Sequence, residues 1–235
     1  MSLVVRRLRF LLALIPVLIV TAYGLSRLGY FEWPRAYDPF VLPDLDAQSN
    51  LLTPFKLKFI DSRAENCRAA FARAGKTVAI EPAQIDSAQC VKQDTIKLDG
   101  LSTAKLRVEE TRCAIAARLF MWEYNVVQPA ARKYFDEPVT ELLHFGSYSC
   151  RNIRGSSVTS EHATANAFDI SGFRLRGGKL ITIKQQWHGS QSTAEFLREV
   201  RDGACDYFNL ALSPDYNADH HDHLHFDMGW YRSCR

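Results

Sequence analysis

Residues 218–230 read ADHHDHLHFDMGW, and the last part of that run, HLHFDM at residues 223–228, decides the fold. Side chains alternate along a strand, so His223, His225 and Asp227 fall on one face while Leu224, Phe226 and Met228 fall on the other. The apolar face calls for a core and the polar face for a site. Four of the chain's 7 histidines (His220, His221, His223 and His225) gather here, with His144, His162 and His188 elsewhere. Two imidazoles two residues apart on one strand face stand about 7 Å apart, close enough for one to bind a metal while the other reaches its water.

A metal site needs donors from another part of the chain. Residues 160–170, SEHATANAFDI, supply the best candidates, because His162 and Asp169 flank a stretch of small residues while Phe168 and Ile170 alternate inward. Two imidazoles, one carboxylate and an open position make up the ligand set of a catalytic zinc, which lowers the pKa of bound water to about 7. Ala165 and Ala167 leave the floor of such a site open.

Other strand signals surround these two segments. VTELLHFGSY alternates at residues 139–148, and AFDISGFRLR-GG-KLITI reads as a hairpin turning on Gly177 and Gly178. Helical patterns accompany them. Thr111 suits an N-cap, with Glu109 and Glu110 at the positive end and Ala114, Ala117, Met121 and Tyr124 at helical spacing. Ser192 and Glu195 have capping-box spacing ahead of Phe196, Val200, Ala204 and Phe208, and a short helix over residues 64–74 ends at Gly75. Mixed helices and antiparallel strands predict an α+β domain with a central antiparallel sheet and flanking helices.

The remaining features concern compartment and partners. Six cysteines, Cys67, Cys90, Cys113, Cys150, Cys205 and Cys234, have no CxxC pair, which suits three disulfides in an oxidising compartment better than a thiolate zinc site. Proximity along the chain suggests Cys67 with Cys90, Cys113 with Cys150, and Cys205 with Cys234. Arg6, Arg7 and Arg9 precede an apolar run at residues 10–25, so the N-terminus reads as a secretion signal or an uncleaved membrane anchor, with Tyr23, Tyr30 and Trp33 as interfacial residues. The formal net charge of +3 is matched by those three arginines alone, and no basic stripe suggests a nucleic-acid partner. Together with the family resemblance described next, these features divide the chain into a leader over 1–28, a linker and extension over 29–97, and the domain carrying the site over 98–235.

GSYSCRN, SEHATANAFDISGF, VRDGAC and SPDYNADHHDHLHFD, taken in order over residues 98–230, resemble the blocks of bacterial extensin-like C-terminal domain proteins. Ser160-x-His162, Asp169 seven residues on and the terminal His223-x-His225 are similar to the signature of the LAS metallopeptidases. These include D-alanyl-D-alanine carboxypeptidases and murein endopeptidases. The resemblance implies a LAS/hedgehog-type metallopeptidase fold in which His162, Asp169 and His225 ligate Zn2+ and His223 stands beside the metal-bound water. It makes Arg151 a contact for a scissile carbonyl or a terminal carboxylate, and Ser160 a residue that orients its loop or touches substrate. His220 becomes a supporting or substrate-contacting residue. Where some relatives place a glutamate base, this chain has Asp222, one carbon shorter; strand alternation turns it away from His225 and favours His223 as the base. Asp227 is expected to orient a ligand histidine, while His221, His144 and His188 read as ordinary polar residues.

Two functional readings stand on this basis. One is a zinc peptidase of the periplasm, tethered to the inner membrane by its N-terminal segment and cutting peptidoglycan stem or cross-link peptides. The other is a zinc-containing module that binds peptidoglycan or a partner without cutting. A histidine-rich metal buffer leaves Asp169 and the strand pattern unexplained.

Overall fold

The computed structural model describes residues 3–189 and 191–235 and divides the chain into two compact units, Met1–Val41 and Leu42–Arg235. The first unit contains helix α1 (Leu3–Arg27), with Pro16 inside it. At its end Tyr23 packs edge-on against Trp33 at 5.4 Å between ring centroids, and its hydroxyl lies 3.3 Å from Asp38. Among the described residues no helix is long and apolar enough to cross a membrane. The expected membrane-spanning anchor is thus not supported: the apolar run at residues 10–25 falls short of the roughly 17 to 25 residues that a span requires.

The second unit is α+β. Its helices are α2 (Thr53–Ser62), α3 (Ala64–Arg73), α4 (Cys113–Trp122), α5 (Gln128–Phe135), α6 (Ile183–Gln186) and α7 (Gln191–Ala204). The strands begin with a hairpin, β1 (Gln84–Ser87) and β2 (Cys90–Lys92), that stands apart from the main sheet. That sheet comprises β3 (Thr95–Gly100), β4 (Lys105–Arg112), β5 (Val139–Gly146), β6 (Ala167–Leu175), β7 (Leu180–Thr182), β8 (Leu210–Leu212), β9 (Leu224–Asp227) and β10 (Ser233–Cys234). Their order is β10-β8-β9-β6-β5-β4-β3, with β7 also paired to β6. Neighbours are antiparallel except β4 with β5 and β10 with β8.

β6 is the central strand. Its first half pairs with β9 and its second half with β7, while β5 runs along its other edge. The β6–β7 hairpin turns where the two glycines predicted it, with Gly178 at φ +87°. Gly172 sits where the two strands approach so closely that a Cβ would lie 2.6 Å from the carbonyl oxygen of Ile181.

The alternation read at residues 223–228 holds in β9, with Leu224 and Phe226 fully buried. Phe226 meets Trp122 of α4 edge-on at 5.2 Å and stacks on Phe208 at 5.0 Å, and Phe173 of β6 meets Phe196 of α7 at 5.2 Å. This aromatic packing fastens helices to one side of β6 and β9. The side chains of Asp169 and His225 point the other way.

Two helix starts differ from expectation. Thr111 belongs to β4, where its hydroxyl lies 2.9 Å from that of Ser147, and α4 begins two residues later without a side-chain cap. α7 starts one residue ahead of Ser192 and buries Phe196, Val200 and Ala204 as the pattern requires.

The disulfides join Cys67 to Cys113, Cys90 to Cys150 and Cys205 to Cys234. Only the last follows from proximity along the chain. α3 packs on α4 and brings Cys67 to Cys113 with Cα atoms 6.0 Å apart. The β1–β2 hairpin meets the segment after β5 instead, placing Cys90 and Cys150 5.5 Å apart. Peptide mapping of the oxidised protein should return these three pairs. Replacing Cys67 and Cys113 with serine should lower the unfolding free energy in urea by about 2–4 kcal/mol, the usual effect of opening a long loop.

Candidate metal centre

Asp169 of β6 and His225 of β9 are direct partners in the antiparallel register, so their side chains rise from the same face side by side. His162 comes from outside the sheet. It sits in the 3-10 turn Glu161–Thr164, whose N-cap is Ser160; the Ser160 hydroxyl oxygen accepts a hydrogen bond from the His162 backbone N–H at 3.3 Å. Ala165, in the left-handed conformation at φ 53°, ends that turn and feeds the chain into β6.

The three side chains meet in the interior. His162 is 3% exposed, and Asp169 and His225 are each 9% exposed. One ligand atom from each lies within 4.8 Å of the others. His162 Nε2 is 3.1 Å from His225 Nδ1 and 3.2 Å from Asp169 Oδ2, and His225 Nδ1 is 2.9 Å from Asp169 Oδ1.

The outer atoms of both rings are already committed. His162 Nδ1–H donates to the carbonyl oxygen of Ser147 at 2.9 Å, which fixes the tautomer because a carbonyl can only accept. His225 Nε2–H donates to Asp227 Oδ2 at 3.1 Å, and Asp227 is held in turn by the Gly229 backbone N–H at 2.8 Å. Asp227 therefore orients a histidine, as its place on the strand face suggested. The lone pairs of His162 Nε2 and His225 Nδ1 converge with the Asp169 carboxylate on one point. Two nitrogen lone pairs cannot face each other at this distance without a cation between them.

A proton on His225 meets this requirement. Burial works against the charged form of His225, but hydrogen bonds to Asp169 and Asp227 outweigh it and raise the pKa to about 9. Burial likewise works against the Asp169 carboxylate, yet its close contacts with His162 and His225 hold its pKa well below the usual carboxylate range. Two nitrogens on rings braced from behind, together with a carboxylate, fit a divalent metal of the zinc type.

The other expected residues divide into those near this cluster and those apart from it. His223 lies one residue before β9, 13% exposed, with Nε2 3.6 Å from Asp169 Oδ1 and Nδ1 3.0 Å from Asp222 Oδ1. Asp222 lies outside the strand, so alternation does not govern it, and its carboxylate turns to its neighbour. His220 ends the 3-10 turn Ala218–His220; its ring stands 5.2 Å from that of His223 and 5.6 Å from that of His225. Burial, then the charges of His225 and His223, push its pKa down to about 4, and its Nδ1–H donates to Asn217 Oδ1 at 2.7 Å.

Arg151 is exposed, and its guanidinium donates to the carbonyl of Asn152; among the described residues no hydrogen bond or ion pair joins it to the cluster. Ser160 is buried and acts through its cap on His162. His144 bonds the Arg107 carbonyl on β4, and His221 bonds the carbonyl of Ala218.

Two contributors left no mark in the sequence pattern. Ser147 acts on His162 through a backbone carbonyl, which no residue type announces, while its hydroxyl donates to the carbonyls of Ala165 and Ala167. Phe145, 61% exposed, sets its ring edge-on to His223 at 5.7 Å; the bulge between His144 and Gly146 in the β5–β6 ladder breaks the alternation that would have located it.

The family described as Extensin-like protein C-terminus matches residues 65–235, a span that holds every residue of the cluster and all three disulfides. The chain belongs to this family. No curated protein and no solved structure matches it. In this extensin-like domain the matched span begins within α3, so α3, the β1–β2 hairpin and β3 are included with the strands that carry the cluster.

Were a metal to enter this cluster, it would have to displace the His225 proton. Because the His225 pKa is raised to about 9 and that of Asp169 is depressed, the cluster carries one displaceable proton throughout the neutral range. Calorimetry with zinc in buffers of differing ionisation enthalpy should show one proton released per metal at pH 7. Affinity should rise roughly tenfold per pH unit and level off near pH 9, as linkage to one proton requires; affinity without pH dependence would contradict this reading.

Proposed function

We propose that the chain is a zinc-dependent peptidase that hydrolyses peptidoglycan stem or cross-link peptides in the cell envelope. The observation that carries this reading is the third imidazole. Beside a three-donor cluster suited to a metal stands His223, whose Nε2 faces the cluster. A metal held only for structure takes four protein ligands and has no use for such a neighbour. The finer resemblance to LAS metallopeptidases supports the same reading.

His162, Asp169 and His225 would hold the ion. When bound, zinc supplies Lewis acidity that makes water nucleophilic near neutral pH and polarises a carbonyl. His223 does the proton work: Nε2 takes the proton that water loses as its oxygen attacks the peptide carbonyl carbon, and returns it to the amine nitrogen as the C–N bond breaks. His220, kept neutral by its surroundings, packs beside His223 and limits the positions its ring can take. Ser160 keeps the His162 turn in place, and Arg151 stands on the exposed segment after Cys150, available to a carboxylate of an approaching peptide.

The disulfides agree with an oxidising compartment, and the periplasm is the proposed location. α1, with Arg9 at its start and Phe10, Val17, Leu18 and Val20 exposed, is the segment that would meet the inner membrane.

Mass spectrometry of cross-linked muropeptides incubated with zinc-loaded protein should show cleavage, and the product masses identify the bond. His223→Ala should retain zinc and lose about 10²–10⁴-fold in kcat, the usual contribution of a positioned acid–base group. Intact muropeptides in both digests would favour a binding module in place of an enzyme.

A further inference from the structure

His223 sits between two carboxylates, and which of them takes its ring proton decides what the ring can do. Asp222 Oδ1 is 3.0 Å from Nδ1, a hydrogen-bond distance, whereas Asp169 Oδ1 is 3.6 Å from Nε2, beyond one. The Nδ1–H···Asp222 bond leaves Nε2 with its lone pair directed at the candidate metal centre. The opposite tautomer would direct an N–H at Asp169 and have nothing there with which to accept a proton.

The setting of Asp222 suits this task. It lies between the 3-10 turn Ala218–His220 and β9, in a segment pinned by the His223 backbone N–H to the His220 carbonyl at 3.5 Å. Its second oxygen faces His221 Nε2 at 3.5 Å. Asp222 is therefore engaged from both sides and does not approach the metal cluster itself. The Phe145 and His220 rings, 5.7 Å and 5.2 Å from that of His223, hold the imidazole plane while Asp222 fixes its proton.

We infer that Asp222 is a positioning residue that keeps His223 in the Nδ1–H tautomer, so that Nε2 is the acceptor facing the metal centre. The kinetic consequence rests on the peptidase reading; the tautomer does not. Asn at this position can present its NH2 group to Nδ1 and so force the proton onto Nε2, while Glu keeps an acceptor.

Nitrogen-15 NMR of histidine-labelled, zinc-loaded protein tests this directly, with zinc content measured for each variant to show that the site assembles. The wild type should show a protonated Nδ1 and an unprotonated Nε2 for His223, Asp222→Asn should reverse them, and Asp222→Glu should restore them. On muropeptides Asp222→Asn should lose about 10²-fold or more in kcat with little change in KM, in line with the effect of a wrong tautomer in other enzymes, and Asp222→Glu should recover most of it. An unchanged tautomer in Asp222→Asn overturns the inference. If the wild type cuts nothing while the tautomer reverses as expected, the peptidase reading fails and the role of Asp222 stands.

Discussion

A buried carboxylate facing two imidazole lone pairs is the constraint on which the rest of this structure depends. Asp169 carries charge inside the protein, and a charge there is tolerated only with partners that match it. His225 stands opposite it in the β6–β9 register and His162 closes the third side. Neither ring can turn away, because the Ser147 carbonyl and the Asp227 carboxylate hold their outer nitrogens. The arrangement demands a cation at its centre. A proton on His225 meets that demand, and the proposed metal would meet it through the same three donors.

The scaffold makes this convergence rigid. Trp122, Phe208 and Phe226 lock β9 from behind, and Phe173 with Phe196 does the same further along β6. The Cys90–Cys150 bridge ties the segment between Ser147 and Ser160 to the β1–β2 hairpin. A shift of one residue in the β6–β9 register would send Asp169 or His225 into the aromatic layer. The aromatic core and the polar cluster thus enforce the same register from opposite faces.

Much of this was legible in residues 160–170 and 223–228, because period-two alternation sorts a short buried strand into an apolar and a polar face without reference to the rest of the chain. The β6–β7 hairpin was equally plain from its paired glycines. What failed depends on tertiary placement. Thr111 has the chemistry of a helix cap, but Ser147, just after β5, engages its hydroxyl. Cys67 and Cys90 are close in sequence, yet α3 packs on α4 while the hairpin meets the segment after β5. Asp222 continues the alternating pattern but lies two residues before β9 begins, so alternation hides its turn toward His223. Ser147 acts through its backbone and could not be found from residue type at all.

The central claim is that His162 Nε2, His225 Nδ1 and the Asp169 carboxylate share one metal ion. Crystals of the zinc-loaded protein measured on both sides of the zinc absorption edge test it most directly. A single anomalous peak within about 2.0–2.2 Å of those three donors, with His223 outside the coordination sphere, is the predicted result. A peak at His220, His221 or His223, or none at the cluster under saturating zinc, would contradict it.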